Sequence, residues 1–413
     1  MYRKPKGTKD YYPEDMALLK KIEESLRSTA ESYGFMEVES PAFESMELLT
    51  AKQGDEIREQ IFTLEKKGEG KKKEEYGLRF DLTVPMTRMF IEKQKELPKP
   101  ARWFSIGRMW RYERPQAGRQ REFRQLSVEL FGSDRPEADA EIIRMAIDCL
   151  KNRGLTSKDF VIRINNRIVL QDFIKSLELD NFEEVFRAID KKLKIPEDAW
   201  EKELEKVSFN KEDIKKLNEF LNTKEINKVS VESKAKDDLK KMIELLRDRK
   251  DYIELDFSTV RGLSYYTSTV FEIFDRKGKL RSIAGGGRYD NLVELFRGDS
   301  CPATGFAIGF STLALLLEEN RKLPDAEVSV DYYIAPIGEK ALRKAEKIAD
   351  KLRKKASVEL DLMGRSISKQ MGYADRINAR NTIIIGDDEL KQKIMKVRDM
   401  KTGKEKKVSI DKI

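Results

Sequence analysis

The 413-residue chain contains no histidine. That absence removes the commonest general base and every Ser–His or Cys–His nucleophilic scheme. An enzyme built without it must work by positioning, by charge stabilisation and through a hard metal ion, a restriction that phosphoryl and nucleotidyl chemistry meets. Cysteine is nearly as scarce, with only Cys149 and Cys301. Two cysteines make no disulfide framework, and without histidine a zinc site lacks most of its usual ligands, so no metal-ligating side chains are assigned. No apolar run approaches the roughly 20 residues of a membrane helix. The first residues, MYRKPKGTKDYYPEDM, hold no apolar signal core. A cytoplasmic protein without a membrane partner is expected.

What is present in abundance is charge, 82 Lys plus Arg against 74 Asp plus Glu, a net +8. The excess is localised. From Ser329 to Ile413 there are 21 basic and 13 acidic residues, which leaves 61 of each in the first 328. A basic terminal domain on a charge-neutral body points to nucleic-acid contact by counterion release; a solvated helix face is the plainer alternative.

The most unusual stretch is Trp103–Gly132, WFSIGRMWRYERPQAGRQREFRQLSVELFG, which reads as two strands joined by a polar loop. Alternation places Arg111 and Glu113 on the first strand, and Gln125, Ser127 and Glu129 on the second, on one face, with Leu126, Val128 and Leu130 turned to the core. Six arginines and no lysine occupy the stretch although the chain is lysine-rich. That choice favours planar, bidentate recognition of phosphate or carboxylate, against the simpler reading of a charged edge hairpin.

Along the chain, residues 14–33 carry apolar side chains at helical spacing, and FMEVESP adds a short strand closed by Pro41. The acid-basic tract Leu64–Gly77 reads as a solvated loop. Asp81 and Thr83 stand at a strand end, where Asp81 either lines a site or caps the next helix, which has Pro85 in its first turn. A helix over 136–154 and the strand FVIRINN lead into about 167–250, a charged helical insertion. Strands return with DYIELDFSTVRGLSYYTSTVFEIFD, followed by Gly285–Gly287 ahead of a helix starting near Tyr289, and then by PATGFAIGFSTLALLL. From Val330 the β and α units alternate, which predicts a compact α/β domain with a mainly parallel sheet.

These residues resemble the class II aminoacyl-tRNA synthetases, and within them the histidyl branch. The helix, strand and Pro41 unit resembles motif 1, the dimerisation element, and RYERPQAGRQREFRQLSVELFG resembles motif 2. RGLSYYTSTVFE and AGGGRYDNL are similar to the two histidine-specific segments, and LMGRSISKQMGYADRINAR to the anticodon-binding domain. The resemblance implies an α+β catalytic domain, 1–325, built on a mainly antiparallel sheet with flanking helices and carrying the helical insertion. An α/β anticodon-binding domain, 329–413, follows. It implies a homodimeric ligase that uses ATP and Mg²⁺ to activate L-histidine and esterify tRNA(His). Arg111 and Arg261 would be the catalytic pair. Asp81, Leu82, Thr83, Gln125, Glu129, Tyr265 and Tyr266, with both arginines, would bind histidine. Glu113, Arg119, Arg121 and Phe123 would join Arg111 on ATP, and Gln116 and Arg121 would meet the tRNA acceptor end.

This sequence departs from the pattern twice. Ser311 and Thr312 stand where the class has its motif 3 arginine, and Ser264 stands where many relatives have Asp in RGLDYY. Arg121, Arg119 or Mg²⁺ would then cover the outer phosphates. The alternative is a non-catalytic paralogue, a histidine sensor or regulatory subunit, or a tRNA-binding module.

Overall fold

The computed structural model describes residues 2–51, 57–65, 75–192, 195–261 and 265–410. Ser264 and most of the tract 64–77 lie outside the described residues. The chain forms two compact units, Met1–Asp10 with Leu19–Pro324, and Tyr11–Leu18 with Asp325–Ile413.

Among the described residues the first unit holds an eight-stranded sheet and a separate strand pair. In chain order the strands are β1 (Met36–Glu37), the small pair β2 (Phe43–Ser45) and β3 (Tyr76–Leu78), β4 (Ala101–Trp110), β5 (Glu122–Phe131), β6 (Phe160–Asn166), β7 (Ile253–Leu255), β8 (Thr269–Asp275), β9 (Ala284–Arg288) and β10 (Ala303–Gly309). β2 and β3 pair apart, and the sheet runs β1-β4-β5-β10-β9-β8-β6-β7. Only β1–β4 and β6–β7 are parallel. The other five pairings are antiparallel, as the mainly antiparallel expectation requires. The helical insertion is the crossover that the parallel neighbours β6 and β7 need. Within its helices, from Arg167–Ser176 to Lys234–Leu245, Phe173 and Phe220 stack at 4.1 Å and buried Trp200 donates to the Ala188 carbonyl at 2.8 Å, and Phe220 also lies 4.5 Å from Phe257 beyond the insertion.

The β4–β5 hairpin runs in register from Ala101↔Phe131 to Trp110↔Glu122. β4 therefore ends one residue before Arg111. Arg111 and Glu113 lie in the connection and not on the strand, because the chain turns locally there, Glu113 N–H donating to the Arg111 carbonyl at 2.8 Å. β5 is buried on both faces: Ser127 and Glu129 are as inaccessible as Leu126 and Val128. Phe90 from the helix Thr83–Lys93 stacks on Phe131 at 4.3 Å, on the same face of β5 as Glu129.

Buried Arg79 ties the segment before Pro41 to this hairpin. Its Nε donates to the Arg108 carbonyl at 3.1 Å, and its Nη1 to Ser40 Oγ at 2.8 Å and the Pro41 carbonyl at 3.1 Å. Gly107 leaves the room, since a Cβ there would sit 2.7 Å from Arg79 Nη2. Arg79→Met strands these acceptors without donors and should cost about 2–4 kcal/mol. Calorimetry should then show Tm lower by roughly 5–10 °C; an unchanged Tm would refute the role.

The second unit carries a five-stranded sheet, β12-β11-β13-β14-β15, of β11 (Tyr332–Pro336), β12 (Val358–Leu360), β13 (Asn381–Ile385), β14 (Ile394–Asp399) and β15 (Glu405–Ser409). It is mixed, where a mainly parallel sheet was predicted. β11 pairs in parallel with β12 and β13, but β13–β14 and β14–β15 are antiparallel. The connections explain this, since residues 386–393 and a turn closed by Asp399 are too short for a parallel crossover. Among the described residues no helix is long and apolar enough to cross a membrane.

Candidate active site

Strand register builds the floor of a cleft of about 910 Å³. Gln125, Ser127 and Glu129 of β5 lie opposite Gly309, Ala307 and Gly305 of β10, and these last two lie opposite Gly285 and Gly287 of β9. Glu272 of β8 lies opposite Gly285. A strip of small residues thus clears the middle of an otherwise bulky sheet. The glycines are required: a Cβ at Gly285 would overlap the Arg261 guanidinium, and one at Gly305 would overlap the Glu129 carboxylate. The Gly285–Gly287 run is strand, and the next helix is the short Leu292–Leu295 in place of one starting near Tyr289.

Under and around this strip lie buried polar atoms with unmet hydrogen bonds. Thr83 Oγ1 donates to Glu129 Oε1 at 2.7 Å, which leaves Glu129 Oε2 without a partner. Asp81 Oδ1 caps the helix Thr83–Lys93 by accepting from Val84 N at 3.2 Å, while its Oδ2 has no partner. Asp81 thus both caps and lines. Tyr289 Oη is likewise buried and unpartnered, 2.9 Å from where a Gly305 Cβ would stand. Burial pushes the Glu129 carboxyl well above the usual range; the Thr83 hydroxyl pulls it down, and Asp81 adds to the rise. Burial raises Asp81 as well, against the Val84 amide and Arg111. Two carboxyl oxygens and a phenol without partners in one cleft call for a ligand rich in donors.

The arginines enter from separate elements. Arg111 Nε donates to the Phe80 carbonyl at 3.0 Å, and its guanidinium lies 5.1 Å from the Phe123 ring centroid. Arg261 is ion-paired with Glu272 and lies 5.5 Å from the Tyr266 ring. Burial opposes the charge on Arg261, but Tyr266 and Glu272 more than compensate and hold its pKa above the ordinary value. Its φ of +59° is the left-handed region that a side chain adopts only under constraint. Tyr265 packs 4.7 Å from Tyr266 and 5.7 Å from Tyr289.

Most of the predicted residues meet in this cleft. Asp81, Thr83, Gln125, Tyr265 and Tyr266 line it, as do Arg111, Glu113, Arg119, Phe123 and Arg261. Glu129 lies just beneath, reaching it beside Gly305. Three others sit elsewhere. Leu82 is fully buried in the core with Met86 and Phe90. Arg121 turns away, its guanidinium 4.0 Å from the Tyr112 ring and its Nε donating to the Glu113 carbonyl at 3.1 Å. Gln116 stands exposed at the hairpin tip, where its backbone pairs with that of Arg119. Arg119 pairs with Glu113. Sequence reasoning missed Glu272, Arg163, Asp256 and Arg281, all of which line the cleft. Glu272 had a signal, as an acid set between Phe271 and Ile273 inside TVFEIFD.

Residues 7–313 match the profile of the family described as histidyl-tRNA synthetase, and residues 331–413 that of the anticodon binding domain. The histidine–tRNA ligase of Pyrococcus furiosus is 38% identical, the alignment covering 100% of this chain and 98% of that protein. That of Methanococcus maripaludis is also 38% identical, over 100% and 99%. Among solved structures, histidyl-tRNA synthetase from Nostoc sp. superposes with a TM-score of 0.82 at 26% identity, over 100% of this chain and 97% of the other. With profile, full-length relatives and cleft in agreement, this chain belongs to the histidyl-tRNA synthetase family of class II.

Proposed function

We propose that this chain joins L-histidine to tRNA(His) in two steps at the glycine-cleared cleft, working as a cytoplasmic homodimer. In the first step a histidine carboxylate oxygen attacks the α-phosphorus of ATP and pyrophosphate leaves. In the second, a ribose hydroxyl of the tRNA acceptor end attacks the carbonyl carbon and AMP leaves. The observation that carries the reading is the trio of unpartnered buried atoms, Asp81 Oδ2 and Tyr289 Oη lining the cleft that also holds Arg111 and Arg261, and Glu129 Oε2 just beneath it at Gly305. Acceptors of that kind suit the imidazole N–H and the α-ammonium group of histidine, with Asp81, Thr83 and Gln125 on the ammonium and Glu129, Tyr265 and Tyr266 around the ring. Phe123 supplies an aromatic face for adenine and Glu113 an acceptor for its amine.

Arg111 and Arg261 neutralise charge that grows on the α-phosphate, which does not require a general base. Among the described residues no three acidic or cysteine side chains are placed to hold a metal, and Glu113 and Glu272 are committed to Arg119 and Arg261. That donor set does not fit a protein-only Mg²⁺ cage. The Mg²⁺ of the nucleotide enters on its phosphates, as part of the substrate. The inactive-paralogue alternative is not favoured, since the chain spans the ligases over their full length, anticodon-binding region included.

The test offers every amino acid with ATP and total tRNA: histidine alone should be esterified. Charging with another amino acid, or none, would overturn the reading. Removing residues 329–413 should lower charging at least about tenfold more than adenylate formation, a difference of about 1.4 kcal/mol in tRNA recognition. Equal losses would mean that the basic domain has no part in tRNA binding.

A further inference from the structure

We infer that Arg281 is the residue that holds the outer phosphates of the nucleotide, in place of the arginine missing from the Ser311–Thr312 position. The inference rests on the reading that the cleft takes ATP. Its basis is a comparison of the cleft's cations. Arg119 is bound to Glu113 and Arg261 to Glu272. Arg163 lies 3.6 Å from Asp256 and 5.0 Å from the Phe274 ring. Arg111 is anchored on the Phe80 carbonyl, and Arg121 is stacked on Tyr112 outside the cleft. Arg281 lines the same cleft, is exposed, and among the described residues makes no hydrogen bond, ion pair or ring contact.

Its position suits the task. Two residues on, Ile283 holds both neighbours, donating to the Ile273 carbonyl at 2.8 Å and accepting from Gly309 N at 3.2 Å. Arg281 therefore stands at the end of the sheet where β10 passes into the helix Phe310–Glu319. That helix begins at Gly309 without a side-chain cap, and Gly309 and Thr312 line the cleft. A helix start favours an anion and presents peptide N–H groups to it, but supplies only about half a positive charge. Ser311 and Thr312 add none. Their side chains are engaged locally, the Ser311 hydroxyl donating to Gln120 and the Thr312 hydroxyl to the Gly309 carbonyl, each at 3.5 Å. A polyphosphate at this end of the cleft needs a full, free guanidinium, which Arg281 provides.

The test is calorimetric titration of the full chain, of Arg281→Ala and of Arg281→Lys, with ATP and with AMP in the presence of Mg²⁺. Arg281→Ala should weaken ATP binding about 10–100-fold, the span of a charge-assisted hydrogen bond, and leave AMP binding within about twofold. Arg281→Lys should recover part of the loss. KM for ATP should rise by the same factor with KM for histidine unchanged, and Tm should stay put because the side chain supports nothing. Undiminished ATP binding in Arg281→Ala, or equal losses for ATP and AMP, would overturn the assignment. An ATP-specific loss in a chain that shows no histidine-dependent exchange would keep this assignment and sink the synthetase reading. Normal exchange kinetics in Arg281→Ala would do the reverse.

Discussion

Replacing Arg261 with alanine is expected to slow histidine-dependent ATP–pyrophosphate exchange by about 10²–10³-fold, the loss that follows removal of one preorganised group facing developing charge. The effect should fall on kcat more than on KM for either substrate, because the charge it meets grows only as the α-phosphorus is attacked. Its setting supports such a role. The guanidinium occupies space that only a glycine at 285 leaves open, it is oriented by Glu272, and its backbone is held in a strained conformation. Loss of the ion pair could also act through folding, so two readouts separate the cases. Glu272→Gln keeps the arginine and should retain most of the activity, whereas Arg261→Lys, which keeps charge but not the planar fork, should stay at least about tenfold impaired. Equal damage from Glu272→Gln and Arg261→Ala, with a matching fall in Tm, would reduce Arg261 to a structural residue.

Glu129→Gln should push stability and function in opposite directions. The Glu129 carboxyl titrates well above its ordinary value because it is buried, despite the Thr83 hydroxyl and with Asp81 adding to the effect. A carboxyl whose folded pKa lies above its unfolded value contributes stability that is fully present below about pH 4 and lost as pH rises through the folded value. Glutamine never ionises. The ligand-free variant should therefore melt above the parent at pH 8, and the gap should close toward pH 4. With Oε1 still accepting from Thr83, the same substitution puts an NH₂ donor where Oε2 would accept an imidazole N–H, so KM for histidine should rise about 10–100-fold, with KM for ATP little changed. Differential scanning calorimetry across pH and steady-state exchange kinetics check the two halves. A lower Tm at pH 8 or an unchanged histidine KM would refute the proposed state of this carboxyl.

The sequence carried the elements better than their register. The hairpin strands, the helical insertion and the β/α alternation after Val330 were legible because each has a strong apolar period or a turn residue at its end. Arg111 and Glu113 were misplaced by continuing the β4 alternation past Trp110, where the local turn and Pro115 break it. Gly285–Gly287 could not be read as strand, since three glycines carry no side-chain pattern; only their pairing with Gly305 and Ala307 explains them. Glu272 stood out inside an apolar strand, but its partner could not be named from a distance of 11 residues. Arg121 looked like a phosphate ligand by position, and the ring of Tyr112 drew it away. Nothing in the sequence distinguished Arg281 from the chain's many other cations; it stands apart in the fold because the arginines around it are engaged by carboxylates or by a backbone carbonyl.

Pyrophosphate exchange measures the activation of histidine at this cleft without tRNA. With ATP, Mg²⁺ and labelled pyrophosphate, label should enter ATP only when L-histidine is present, and should do so about 10²–10³-fold more slowly in Arg261→Ala. Exchange that is independent of histidine, or absent while histidine binds normally to the intact chain, would contradict the account.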